Sequence, residues 1–115
     1  MNTLMNYVGE RKKFVAKYVR TGKYRGFNGE LKDSILVRKV IDVTTGVELR
    51  NHSWIDYAPE IRKNKFKEGD WLCFEATVGT YIKGVIHKGN KTLNKSQMTL
   101  DAELFGVQNV SVIRI

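Results

Sequence analysis

WLCFEATVGTYIKG, residues 71–84, has the clearest periodicity in the chain. Leu72, Phe74, Ala76 and Val78 fall on one side; Trp71, Cys73, Glu75 and Thr77 fall on the other. Period two over this length predicts a strand with one buried face and one wet face. Gly79 is expected as a bulge, after which Tyr81 and Lys83 continue outward.

Similar patterns lie on both sides of this stretch. FVAKYVR, residues 14–20, is short and rich in β-branched and aromatic residues, with Phe14, Ala16 and Tyr18 opposite Lys13, Val15 and Lys17. SILVRKVIDV (34–43) and VELRNHSWI (47–55) flank Thr44-Thr45-Gly46, a hairpin turn, and should pair antiparallel. In the second of these, Glu48, Arg50, His52 and Trp54 alternate with Val47, Leu49, Asn51 and Ser53. VQNVSVIRI (107–115) completes five strands. Asp56 as a cap and Pro59 in a first turn predict a short helix over 59–64, with Ile61 and Phe66 inward. Glycines at 22, 26 and 29 predict a loop over about 21–33. Within 85–106, HKGNKTLNKSQM reads as a long basic loop and LDAELF as a helical turn.

Three strands, a short helix and two strands describe an all-β fold with a small α contribution: a five-stranded Greek-key OB-fold barrel with the helix between strands 3 and 4. The 115 residues are enough for one domain, expected over 11–115, with residues 1–10 as a flexible N-terminal arm. No internal repeat and no apolar run long enough to span a membrane occurs. The N-terminus lacks the apolar stretch of a signal peptide, and the one cysteine, Cys73, excludes an internal disulfide. A cytoplasmic location is the expectation.

The charge is unevenly placed. Twenty Lys and Arg stand against twelve Asp and Glu, a net of +8. Arg11, Lys12, Lys13, Lys17, Arg20, Lys23, Arg25, Lys32, Arg38 and Lys39 lie in one window whose acids are Glu30 and Asp33, and the rest of the chain is balanced. A second, acid-free stretch from Thr77 to Leu100 carries Lys83, Lys88, Lys91 and Lys95. Such gathering suits a polyanion partner, and a merely soluble basic surface is the plainer alternative. In an OB-fold, the loop after strand one and the loop between strands four and five flank one binding face. Here those loops, about 21–33 and 85–106, overlap the two basic segments.

Single-strand binding needs cations for phosphates and flat side chains for bases. The candidate cations are Lys17, Arg20, Lys23, Arg25, Arg38, Lys83, Lys88 and Lys91; the candidate stackers are Tyr24, Phe27, Trp54 and Tyr81. Trp54 serves equally well as a plug at one barrel end, whereas Phe14, Tyr18 and Phe74 belong in the core. Catalysis has little support. His52 and His87 are too few for a histidine metal cluster, and His52 reads as a structural hydrogen-bonding residue. Glu30-Leu31-Lys32 is half of a nuclease signature without its upstream Asp, and Gly22-Lys23 is not a Walker loop. No enzyme activity, metal or cofactor is expected.

A basic first strand ending in RTGKY, the hairpin VIDVTTGVELRNHSW with its His-x-Trp pair, and GDWLCFEATVGTYIKG stand in an order that resembles the small OB-fold proteins of phages and mobile elements of Gram-positive bacteria. The likeness covers about residues 11–84. It implies a non-catalytic protein that binds single-stranded nucleic acid, DNA in preference to RNA, during phage or mobile-element replication or recombination. A homodimer paired through an exposed strand is one expected arrangement. The alternative is a protein-interaction module that docks on a host or replication protein.

Overall fold

A computed structural model describes residues 3–25, 30–57, 59–83 and 99–113. It is all-β: β1 (Arg11–Arg25), β2 (Leu31–Asp42), β3 (Glu48–Asp56), β4 (Trp71–Lys83) and β5 (Thr99–Ile113). They form one antiparallel sheet in the order β3-β2-β1-β4-β5. The run β4-β1-β2-β3 is the spatial order of a Greek key. β1 is the central strand. Its first half pairs with β4 from Arg11↔Thr77 to Lys17↔Trp71, and its length from Phe14 onward pairs with β2.

The alternation read from the sequence decides the buried face. Phe14, Ala16, Leu72, Phe74, Ala76 and Val78 are fully buried, as are Ile35, Val37 and Val40 of β2. Phe14 and Phe74 oppose each other directly across the β1–β4 ladder, ring centroids 5.8 Å apart. Tyr18 closes one side of this core by stacking on Phe66.

The ladders carry five register shifts, two in β1–β2, one in β2–β3 and two in β4–β5, and three of them place an extra residue on β2 or β5. Lys39 and Val40 of β2 oppose the single residue Ala16; Asn109 and Val110 of β5 oppose Phe74; Gly106 and Val107 oppose Ala76. The first residue of each takes a left-handed backbone, with φ of 53°, 55° and 63° for Lys39, Asn109 and Gly106. An extra residue in that conformation strengthens the local twist and bends the strand. β3 and β5, at opposite ends of the pairing order, meet through side chains. Arg50 donates to Asp101 at 2.8 Å, and Ser53 Oγ to Glu103 at 3.1 Å.

Several expectations are corrected. β1 and β2 continue through most of the expected 21–33 loop, with Gly22↔Ser34 and Tyr24↔Lys32 still paired. LDAELF lies within β5, because pairing with β4 buries Ala102 and Leu104 and outweighs the helix-forming composition. Gly79 sits in regular register with Glu103 and is no bulge; the Phe105 ring lies over it, 2.6 Å from where a Cβ would stand. One helical turn, α1 (Pro59–Arg62), stands where a helix over 59–64 was expected; at four residues it forms no layer, although Ile61 is fully buried. The segment read as a flexible arm contains a 3₁₀ turn, Thr3–Tyr7, whose Leu4 is fully buried. Gly9 N–H and Val78 N–H donate to Val78 O and Glu10 O, tying it to β4.

Asp42 is the fully buried carboxylate of this core. Its Oδ1 accepts from Thr44 N–H at 2.9 Å, holding the β2–β3 turn. Its Oδ2 has no well-directed hydrogen bond but faces Lys12 Nζ at 3.1 Å. Burial alone would raise the Asp42 pKa; the Lys12 ammonium and the Thr44 amide outweigh it, and the carboxyl titrates below the usual range. A depressed folded value contributes stability above the unfolded pKa that is lost as pH falls through the folded one. Asp42→Asn should therefore lower the melting temperature at neutral pH and flatten the fall in stability below about pH 4, measured by melts across pH. Phe74→Ala should cost about 3–5 kcal/mol in urea unfolding.

Candidate nucleic-acid interface

Residues opposed in an antiparallel pair point to the same side of the sheet. Across β1, β2 and β3 two rows follow: Lys17–Arg38–His52 and Arg20–Leu36–Trp54. Leu36 and Arg38 alternate with the buried Ile35 and Val37, so both rows lie on the face away from the core.

Trp54 anchors this face. A Cβ on Gly22 would sit 2.7 Å from the far edge of its indole, so the ring lies directly on the Gly22 backbone, a position open only to glycine. The Arg20 guanidinium stands 5.0 Å from the ring centroid on this outer face, a cation–π arrangement. Trp54 is half-buried, not a core plug.

Ion pairing divides the cations. Arg11 approaches Glu75, Lys12 pairs with Asp42, Lys32 approaches Glu30, and Arg50 pairs with Asp101. Lys23 Nζ donates to Asp33, its cross-strand partner, at 2.8 Å, and Arg62 donates to the other oxygen of Asp33 at 3.1 Å. The Lys23 hydrogen bond, then that of Arg62, lowers the Asp33 pKa. Lys17, Arg20 and Arg38 pair with no acid among the described residues. Lys17 and Arg38 oppose each other directly, and like charges so placed destabilise a sheet. A bound anion would relieve this.

The structure thus brings together Lys17, Arg20, Arg38 and Trp54 of the sequence-derived set. Lys23 lies further along β1, held by Asp33. Tyr81 lies on β4 beyond the reach of β1, and its hydroxyl donates to Asp101 at 3.4 Å. Burial, then the charges of Asp101 and Glu103, raise its pKa. The same Asp101 accepts from Arg50 of β3. Tyr24 and Arg25 continue β1 opposite Lys32 and Leu31, and Lys83 ends β4 opposite Thr99. Phe27, Lys88 and Lys91 lie outside the described residues. Two residues of the face, Leu36 and His52, were not among the binding candidates read from the sequence. His52 is exposed beside Arg38 rather than a structural hydrogen-bonding residue, and its equal parity with Trp54 was the signal. Among the described residues no cluster of His, Cys, Asp and Glu is arranged to hold a metal ion, and no helix is long and apolar enough to cross a membrane.

Comparison of the chain with protein-family models, curated proteins and solved structures finds no match in any of the three.

The Gly22–Trp54 contact is testable. Gly22→Ala should displace the indole, shifting the Trp54 side-chain N–H resonance while that of Trp71 stays in place. In a Trp54→Ala background the same substitution should cost less stability.

Proposed function

We propose that the chain is a non-catalytic OB-fold protein that binds single-stranded DNA with little sequence preference. The order β3-β2-β1-β4-β5 is compatible with an OB barrel, and the side-chain contacts Arg50–Asp101 and Ser53–Glu103 between β3 and β5 support that reading. The observation that carries the function is the set of acid-free cations Lys17, Arg20 and Arg38 on one sheet face with Trp54. In this reading the cations neutralise successive phosphates and the exposed part of Trp54 accepts a base. From the sequence, Tyr24 and Phe27 are further candidate stackers, and Arg25, Lys83, Lys88 and Lys91 further candidate cations. Such a protein would act in the cytoplasm on strands exposed during phage or mobile-element replication or recombination.

The test is titration of a labelled thymidine oligomer and a duplex of equal length in rising salt. The single strand should bind more tightly, with a log–log salt slope that becomes shallower by about 0.7 for each of Arg20→Ala and Arg38→Ala. Trp54→Ala should weaken binding by about 1–3 kcal/mol. Equal affinity for duplex, or no salt dependence, overturns the proposal. One observation favours docking on a protein instead: β5 exposes Leu100, Phe105 and Ile113, at 64%, 41% and 40%. Leu100→Glu and Phe105→Glu variants that lose a partner while keeping oligomer affinity would separate the two functions.

A further inference from the structure

A cleft of about 270 Å³ opens where the register of β1 and β2 is broken. Lys17, Arg38 and Lys39 line it from the two strands, and Glu68 and Gly69 line it from the turn that precedes β4. That turn is pinned to β1. Tyr18 N–H donates to Asp70 O at 2.8 Å, and Gly69 N–H to Tyr18 O at 3.0 Å. Lys67 N–H donates to the Asp70 carboxylate at 3.0 Å. The walls are therefore held by backbone hydrogen bonds before any ligand arrives.

The charge here exceeds what a passing phosphodiester needs. Lys17, Arg38 and Lys39 bring three positive charges and Glu68 one negative, leaving two positive. A phosphodiester carries one negative charge, whereas a phosphate monoester carries about 1.5 to 2 at neutral pH. None of the three cations pairs with an acid among the described residues. Lys39 holds φ +53° at the bulge, a conformation that side-chain-bearing residues seldom adopt. Strain of this kind gathers at functional sites. Here it sets an ammonium at a cleft where glycine would satisfy the backbone better.

We propose that this cleft holds a terminal phosphate monoester of the bound strand, so that the protein prefers phosphorylated ends. The proposal rests on the strand-binding function above and adds to it an end preference that neutralisation of internal phosphates would not produce. Lys39 and Arg38 hold the phosphate oxygens from β2, Lys17 from β1, and Glu68 limits the charge the cleft accepts.

The experiment compares thymidine oligomers of one length with hydroxyl ends, a 5′-phosphate or a 3′-phosphate. One phosphorylated form should bind about tenfold more tightly than the hydroxyl-ended one, and which form does so sets the polarity of the strand. Lys39→Gly relieves the left-handed backbone and so keeps the fold; it should abolish the preference while leaving hydroxyl-ended affinity unchanged. Glu68→Gln should enlarge it. Equal binding of all three oligomers by the unaltered protein, or a preference that survives Lys39→Gly, overturns the proposal. Loss of all oligomer binding would instead remove the strand-binding function. The cleft is then read alone by titrating thymidine monophosphate and following the Lys39 and Gly69 amide resonances: movement that Lys39→Gly abolishes supports the site, and no movement refutes it.

Discussion

Phe14 and Phe74 meet as a tilted ring pair across the β1–β4 ladder, and Phe14 is opposed on its other side by Asp42 of β2. Three strands thus converge on one fully buried ring. Removing it would empty the centre of the sheet, because Ala16, Leu72 and Ala76 beside it are buried and too small to fill the space. The same point carries the buried Asp42–Lys12 pair, which fixes the β2–β3 turn by way of Thr44. Hydrophobic packing and an ion-paired buried carboxylate are concentrated where β1 is sandwiched.

β1 also divides the core from the candidate binding face. Its inner positions, Phe14, Ala16 and Tyr18, belong to the core, while Lys17 and Arg20 project from the other face beside Arg38. Bulges opposite Ala16 and at Val19 let one strand serve both faces while turning sharply. The cations on the outer face are costly as structure, because they repel one another and gain no acid in return. Most other described basic residues with assigned partners serve the scaffold instead: Arg11 bridges Thr77, Gly106 and Gln108, and Arg50 ties β3 to β5.

Much of the strand architecture was legible in single-residue alternation, most clearly in 71–78, where every apolar position read from the sequence is buried. Three features were not, and each depends on a distant partner. Gly22 looks like a loop residue until the indole of Trp54, two strands away, is placed on it. Gly79 looks like a bulge until Phe105 covers it. LDAELF has the composition of a helix, and only the β4 ladder beside it makes a strand the better way to bury Ala102 and Leu104.

The sequence by itself determined which residues of each strand share a side, and that basic residues outnumber acids by eight within 11–39. Both are local properties, since side-chain direction alternates along any strand and charge is counted without coordinates. Only the tertiary structure decided which cations stay available. Asp33 engages Lys23 and Arg62, and Asp101 engages Arg50 and the Tyr81 hydroxyl, whereas Lys17, Arg20 and Arg38 gain no acidic partner among the described residues. That division depends on register between strands far apart in the chain. A shift of one residue at a bulge changes which side chains face one another, and no local pattern records where the bulges fall.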